Sequence, residues 1–192
     1  SQPLSFISNN KIQASNDCGD GLLMLNADPL YLTENLFDLT TDGFTNATGA
    51  DLQNVSGRIR CNNFIGEGEK NSNVQDGIQA SSLKGYVQCN FFDDNDLGYQ
   101  TVVSGGIDLA GNEFEDQYSG LYLENGTTIS PQRHRGNIWT GSYNSGFGAQ
   151  NLNQILDSVA NSQFFVEPNN PADGIPVWDA IPGSQWFFPQ SL

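Results

Sequence analysis

Residues 59–65 read Ile59-Arg60-Cys61-Asn62-Asn63-Phe64-Ile65, and residues 87–93 read Val87-Gln88-Cys89-Asn90-Phe91-Phe92-Asp93. Each places an aliphatic residue three positions ahead of an Asn and a large apolar residue two positions behind it. The phrase recurs as Ile7…Asn10…Ile12, Leu32…Asn35…Phe37, Leu109…Asn112…Phe114 and His134…Asn137…Trp139, the last departing only at its first slot. The Asn residues stand 25, 27, 28, 22 and 25 positions apart. A fixed phrase at such an interval is a repeat architecture, in which one unit cannot bury its apolar face until the next stacks on it.

A second mark travels with the first. Gly followed by an apolar residue comes eight positions after the Asn at Gly43-Phe44, Gly98-Tyr99 and Gly120-Leu121. It comes later at Gly21-Leu22, Gly77-Ile78 and Gly146-Phe147. The delay before Gly77 is explained by a polar insertion at 66–72, rich in Gly, Glu, Asn and Ser. Between the marks the chain alternates apolar and polar over strand-length runs such as Val87-Gln88-Cys89.

These features predict an all-β chain, a parallel β-helix (solenoid) of about six coils. Neighbouring coils would lie about 4.8 Å apart, the strand-pairing distance. Phe37, Phe64, Phe92, Phe114 and Trp139 would then stack inside the coil. The Asn residues would form a ladder at a turn, each amide bonding the next, in a left-handed conformation that Asn tolerates. Both series are structural, and none of these residues is assigned to catalysis.

At these residues the chain resembles the right-handed parallel β-helix repeat family, which includes pectate lyases, polygalacturonases, copper-site maturation proteins and bacterial surface proteins. The stretches 132–143, 162–166 and 183–188 resemble the terminal part of large secreted β-helix proteins of Bacteroidota, where a type IX secretion sorting domain usually follows. That resemblance implies a secreted or cell-surface location and no single defined activity.

The formal charge is −15, with seven Lys and Arg. A basic face is needed to hold phosphates, so nucleic acid is excluded as a partner. No stretch is long and apolar enough for a membrane span. The chain opens in the middle of a coil, so the reading is a fragment of a longer protein. Neighbouring β-helix segments, of the same or another chain, would stack at its N-terminal end. Cys61 and Cys89 hold equivalent places in successive coils and should stack, either as small buried residues or as a disulfide. Cys18 has no partner that spacing reveals.

Residues 1–147 are assigned to the coils and 148–192 to a C-terminal cap. Leu152, Ile155, Leu156 and Val159 follow helical spacing and predict a short helix around 149–160. Phe164-Phe165-Val166 would form a last strand. The Pro-dense tail holds Trp178, Trp186, Phe187 and Phe188. Pro at that density forbids regular pairing. The tail either closes the open end of the stack or presents an aromatic platform to a sugar or partner. His134 is read as a terminal-coil residue bonding the cap, with general acid or base as the alternative.

The best candidate for chemistry is an acidic turn. Counted from the ladder Asn, Asp93 falls over Glu115 and Asp94 over Asp116, with Asp96 nearby and Asp38 at the first of these offsets two coils earlier. Stacked carboxylates repel unless screened or bridged. Asp93, Asp94, Asp96, Glu115 and Asp116 are therefore a candidate calcium site, against the plainer reading of a hydrated acidic edge. No other cofactor is implied. If the chain is an enzyme, Asp93, Asp94, Glu115 and Asp116 are its catalytic candidates, since polygalacturonases pair carboxylates for acid and base work. The His-Gly and Arg-x-Lys companions of the polysaccharide-cleaving members are missing. Three functions follow: a non-enzymatic stalk, adhesin or filament module that can bind glycans, a polysaccharide lyase or glycoside hydrolase fragment, and a phage-type tail spike.

Overall fold

The computed structural model describes residues 4–13, 19–40, 47–67, 75–124, 126–129, 136–141, 147–152, 158–159 and 161–162. The chain winds as a parallel β-solenoid, each turn adding one strand to each of three sheets of five, six and six strands. The first sheet holds Ser5–Ser8, Leu30–Thr33, Ser56–Arg60, Lys84–Gln88 and Gly106–Ala110. The second holds Lys11–Gln13, Leu36–Asp38, Asn63–Ile65, Phe91–Asp93, Glu113–Glu115 and Ile138–Thr140. The third holds Gly19–Leu25, Ala47–Gln53, Gln75–Ser81, Leu97–Val103, Ser119–Leu123 and Phe147–Asn151. The coil count falls slightly below the expected six: five coils carry three strands, and the last carries two among the described residues.

The aromatic series stacks as expected. Phe37, Phe64, Phe92 and Phe114 lie at centroid separations of 4.6, 5.1 and 4.9 Å, nearly parallel, and Trp139 closes the column 5.3 Å beyond. Those separations match the strand spacing, so register and ring stacking reinforce each other. All five are fully buried. The inward residues of the first sheet, Ile7–Leu32–Ile59–Val87–Leu109, stack beside them.

The Asn ladder also forms. The Asn62 backbone N–H and Nδ2 both donate to Asn90 Oδ1 at 3.0 Å. Asn62 Nδ2 also reaches Leu32 O in the coil before, at 2.9 Å. One amide therefore ties three coils, and the pattern repeats from Asn10 to Asn137. The left-handed residue, however, is the one before the ladder Asn: Asn9, Glu34, Cys61, Cys89 and Gly111 have φ of 56, 57, 54, 55 and 62°. The turn frees the next residue to aim its amide inward.

The glycine marks need correcting in two coils. Strand register gives the column Leu22–Ala50–Ile78–Tyr99–Leu121–Ala149. The glycines before it are therefore Gly21, Gly49, Gly77, Gly98, Gly120 and Gly148. Gly43-Phe44, chosen by counting, lies outside the described residues, as does Gly146. A Cβ on Gly49 would sit 2.7 Å from Phe64 Cδ1 and 2.6 Å from Gly77 O. The same clash recurs at Gly77 and Gly98. Glycine is required where the stacked ring fills the space of a side chain, whatever the loop length before it.

The C-terminal reading changes at its start. Residues 149–151, expected in a helix, end the third sheet, where Ala149 stacks on Leu121 and Asn151 Nδ2 bonds Leu123 O at 3.2 Å. The solenoid thus runs past the assigned boundary at 147. Helix among the described residues is limited to Ser158 and Val159. Val159 joins the core, and Ser162 Oγ accepts from the Ile129 N–H at 3.1 Å, so this segment does pack on the last coils. The expected strand 164–166, the aromatics Trp178, Trp186, Phe187 and Phe188, His134 and Cys18 lie outside the described residues. No helix among the described residues is long and apolar enough to cross a membrane.

Candidate functional site

The second sheet turns one column of side chains outward: Gln13–Asp38–Ile65–Asp93–Glu115–Thr140. Asp93 thus lies directly beside Glu115, as the offset count requires. The chain then turns sharply. Asp94 and Asp116 adopt φ of 53 and 50°, and the Asp94 and Asp116 N–H groups donate to Glu115 O and Thr140 O. Asp tolerates this conformation better than most side chains.

One oxygen each from Asp93, Asp94 and Asp116 lies within 4.8 Å of the others, on half-buried side chains. Among the described residues, the charged neighbours that shift Asp93, Asp94 and Glu115 are themselves acidic. Asp93 is pushed up to about 6 by burial first, then by Asp94, Glu115, Asp116 and Glu113. Asp94 is raised by burial and Asp116. Glu115 is raised by burial, Asp116, Glu113 and Asp94. Carboxylate oxygens crowded at this spacing suit a hard cation of the calcium type. Asp38, two coils away, differs: the Thr40 hydroxyl and then the Lys11 ammonium, 2.9 Å away, hold its carboxyl well below the usual range.

Asp96 does not join this group. It is buried at the start of the third sheet, where its Oδ2 accepts from the Gln75 N–H at 2.9 Å. There it faces a residue that sequence reasoning passed over. Asp76 is 6 % exposed, and its Oδ1 has no hydrogen-bond partner among the described residues. Burial first, then Asp96 and Glu124, push its carboxyl up to about 8. Glu124 accepts from Gln100 Nε2 at 2.7 Å. At neutral pH Asp76 is therefore mostly a neutral acid beside two other carboxyls, a pairing that acid–base sites use. The available signal was its place directly before the ladder residue Gly77.

No protein-family model, curated protein or solved structure matches the chain. Its function must be read from its own geometry. Cys61 and Cys89, adjacent through the paired strands before them, are exposed free thiols. They are not the buried pair that one reading required, because both occupy the outward corner. Burial, and then Cys89, raise the Cys61 thiol.

Proposed function

We propose that the chain is an extracellular structural or adhesive module, part of a large secreted or cell-surface β-helix protein of the type IX secretion kind. It serves as a stalk, adhesin or filament component. The observation carrying this reading is the use of the repeat itself. The Asn, aromatic and glycine columns are consumed by holding coil to coil, so what varies, and what can meet a partner, is the outer surface. The acidic corner fits the same role. Calcium on Asp93, Asp94 and Asp116 would relieve their repulsion and stiffen the rod. A further β-helix segment, of the same or another chain, would stack on the N-terminal coil.

A second reading is supported by Asp76. A carboxyl raised by burial, then by Asp96 and Glu124, is the kind of perturbed group that acid–base sites use. One experiment separates the two. A panel of acidic and neutral polysaccharides is offered to the chain, and both retention and chain shortening are measured. Retention without shortening is expected. Shortening abolished by Asp76→Asn or by Asp94→Asn would overturn the structural reading in favour of the enzyme.

A further inference from the structure

Two anomalies coincide at the corner between the first and second sheets. In five successive coils the residue there adopts the left-handed conformation: Asn9, Glu34, Cys61, Cys89 and Gly111 have φ of 56, 57, 54, 55 and 62°. Gly111 suits it because it lacks a Cβ, and Asn9 because its short amide can bond the local backbone. Cys has neither advantage, yet it holds the corner in two neighbouring coils. Both thiols are also exposed and free, whereas a Cys serving as a small apolar residue is ordinarily buried. Packing therefore explains neither residue. A side chain kept in a disfavoured conformation at the surface points to a use for its sulfur.

The two side chains leave the same place in successive coils. The strand before them pairs Arg60 with Gln88, and the ladder after them joins Asn62 Nδ2 to Asn90 Oδ1 at 3.0 Å. Between the two, the Cys61 N–H donates to Gln88 O at 3.1 Å, so the parallel pairing continues through the corner. Equivalent Cα atoms then stand about one strand pitch apart, about 4.8 Å, within the roughly 4.4–6.8 Å that a disulfide spans. The two thiols already share a hydrogen bond. Nearly equal backbone angles send both Cβ atoms the same way, so rotation about the side-chain bonds brings the sulfurs together while the pairing on either side holds the backbone. The outward position leaves both sulfurs open to an oxidant.

We infer that Cys61 and Cys89 are a site of oxidative modification, a disulfide that staples one coil to the next. The oxidant is a small-molecule disulfide. One cysteine thiolate attacks it, forming a mixed disulfide and releasing one thiol. The other cysteine thiolate attacks the protein sulfur of that intermediate, closing the Cys61–Cys89 bond and releasing the second thiol. The cysteines give up two electrons and two protons, and the incoming disulfide takes them up as it becomes two thiols. The bond ties positions 28 apart and encloses the polar insertion at 66–72. Closing a long loop removes freedom from the unfolded chain, so the bond stabilises the fold across the coil that the insertion lengthens. The capacity to form the bond is a matter of geometry alone. Its being the resident state rests on the extracellular reading, since disulfides persist in that compartment.

Oxidation of the folded chain by a mixture of oxidised and reduced glutathione, quenched with acid and mapped after trypsin digestion, tests it. The expected product is a monomer lacking two hydrogens, in which the peptide of residues 61–70 is joined to that of residues 85–133. It should melt about 5–15 °C above the reduced chain, the effect of one disulfide in a protein of this size. Cys89→Asn places at the corner the residue type that Asn9 already provides. It should melt at or above the reduced wild type and gain nothing from the oxidant. Cys61→Ser, which keeps the side-chain shape, should lose the oxidant's effect equally. Thiols that stay reduced, glutathione left on either cysteine, a bond from either to Cys18 or between two chains, or a linked monomer that melts no higher than the reduced chain would each overturn the staple. Those outcomes leave the extracellular reading standing, which falls instead to polysaccharide shortening in the panel above.

Discussion

At the scale of single residues, what the ladder demands is steric, and it can be tested one atom at a time. A Cβ on Gly77 would lie 2.6 Å from Gly98 O and 2.6 Å from Phe92 Cδ1. Neither a paired carbonyl nor a ring held in a stack can yield without breaking the register of its neighbours. Gly77→Ala is therefore expected to destabilise the fold by about 1–3 kcal/mol, the cost of overpacking a tight core. Gly106→Ala, where nothing lies within 4 Å, should leave stability nearly unchanged. Urea midpoints measure both, and equal shifts would contradict this account. The Asn and aromatic series were legible in the sequence because each coil carries them at a fixed distance from each other. The glycine series was only partly legible. The count from the Asn to the glycine crosses loops of different length, while the ring that demands the glycine sits a whole coil away in sequence.

At the scale of the element, the corner between the second and third sheets combines a backbone constraint with an electrostatic one. Asp94 has φ of 53°, which Asn accepts at least as readily as Asp. Asp94→Asn should therefore keep the turn and remove one of three crowded charges. Its melting temperature is expected to exceed that of wild type at pH 7 without divalent ions, and the difference should shrink as the pH falls and the raised carboxyls of the corner take up protons. Millimolar calcium, the affinity range of extracellular modules, should raise the wild-type melting temperature and raise that of the variant much less. Equal calcium responses would show that the ion does not sit here. The placement of Asp93 over Glu115 was readable from the ladder because both follow the aromatic slot directly. The clustering of Asp94 with Asp116 followed from the same offset. Asp96 was misplaced because the chain turns between 94 and 96 and enters the next strand. Asp76 was missed because its burial, and the acids Asp96 and Glu124 beside it, come from packing between coils that a pattern along one strand does not describe. The contact of the Arg58 guanidinium with the Tyr31 and Tyr86 rings, in contrast, lies in plain register: each of these residues directly precedes an inward aliphatic residue of the repeat.

At the scale of the whole molecule, the acids set how stability depends on pH. Burial and acidic neighbours raise Asp20, Asp76, Asp93, Asp94 and Glu115, whereas hydrogen bonds and Lys11 lower Asp38. A carboxyl raised on folding binds its proton more tightly in the folded chain than in the unfolded one. Ionisation then favours unfolding once pH passes the unfolded value near 4, and the loss is complete only above the folded value. With Asp93 at about 6 and Asp76 at about 8, that window runs from about pH 4 to about pH 8. Asp38 acts the other way, but its contribution is lost only as pH falls below about 4. The melting temperature measured by calorimetry without divalent ions should therefore be higher near pH 5 than near pH 8, the reverse of a fold held by salt bridges. Asp76→Asn supplies the deciding comparison, because it keeps the shape of the buried group and removes its ionisation. The variant should gain little or nothing at pH 5 and should melt above wild type at pH 8 and beyond, so that its profile is flatter over the upper half of the window. Profiles that stay parallel from pH 5 to pH 9 would mean that Asp76 ionises as freely in the folded solenoid as in the unfolded chain, and the buried acid beside Asp96 and Glu124 would lose its standing as a candidate for chemistry.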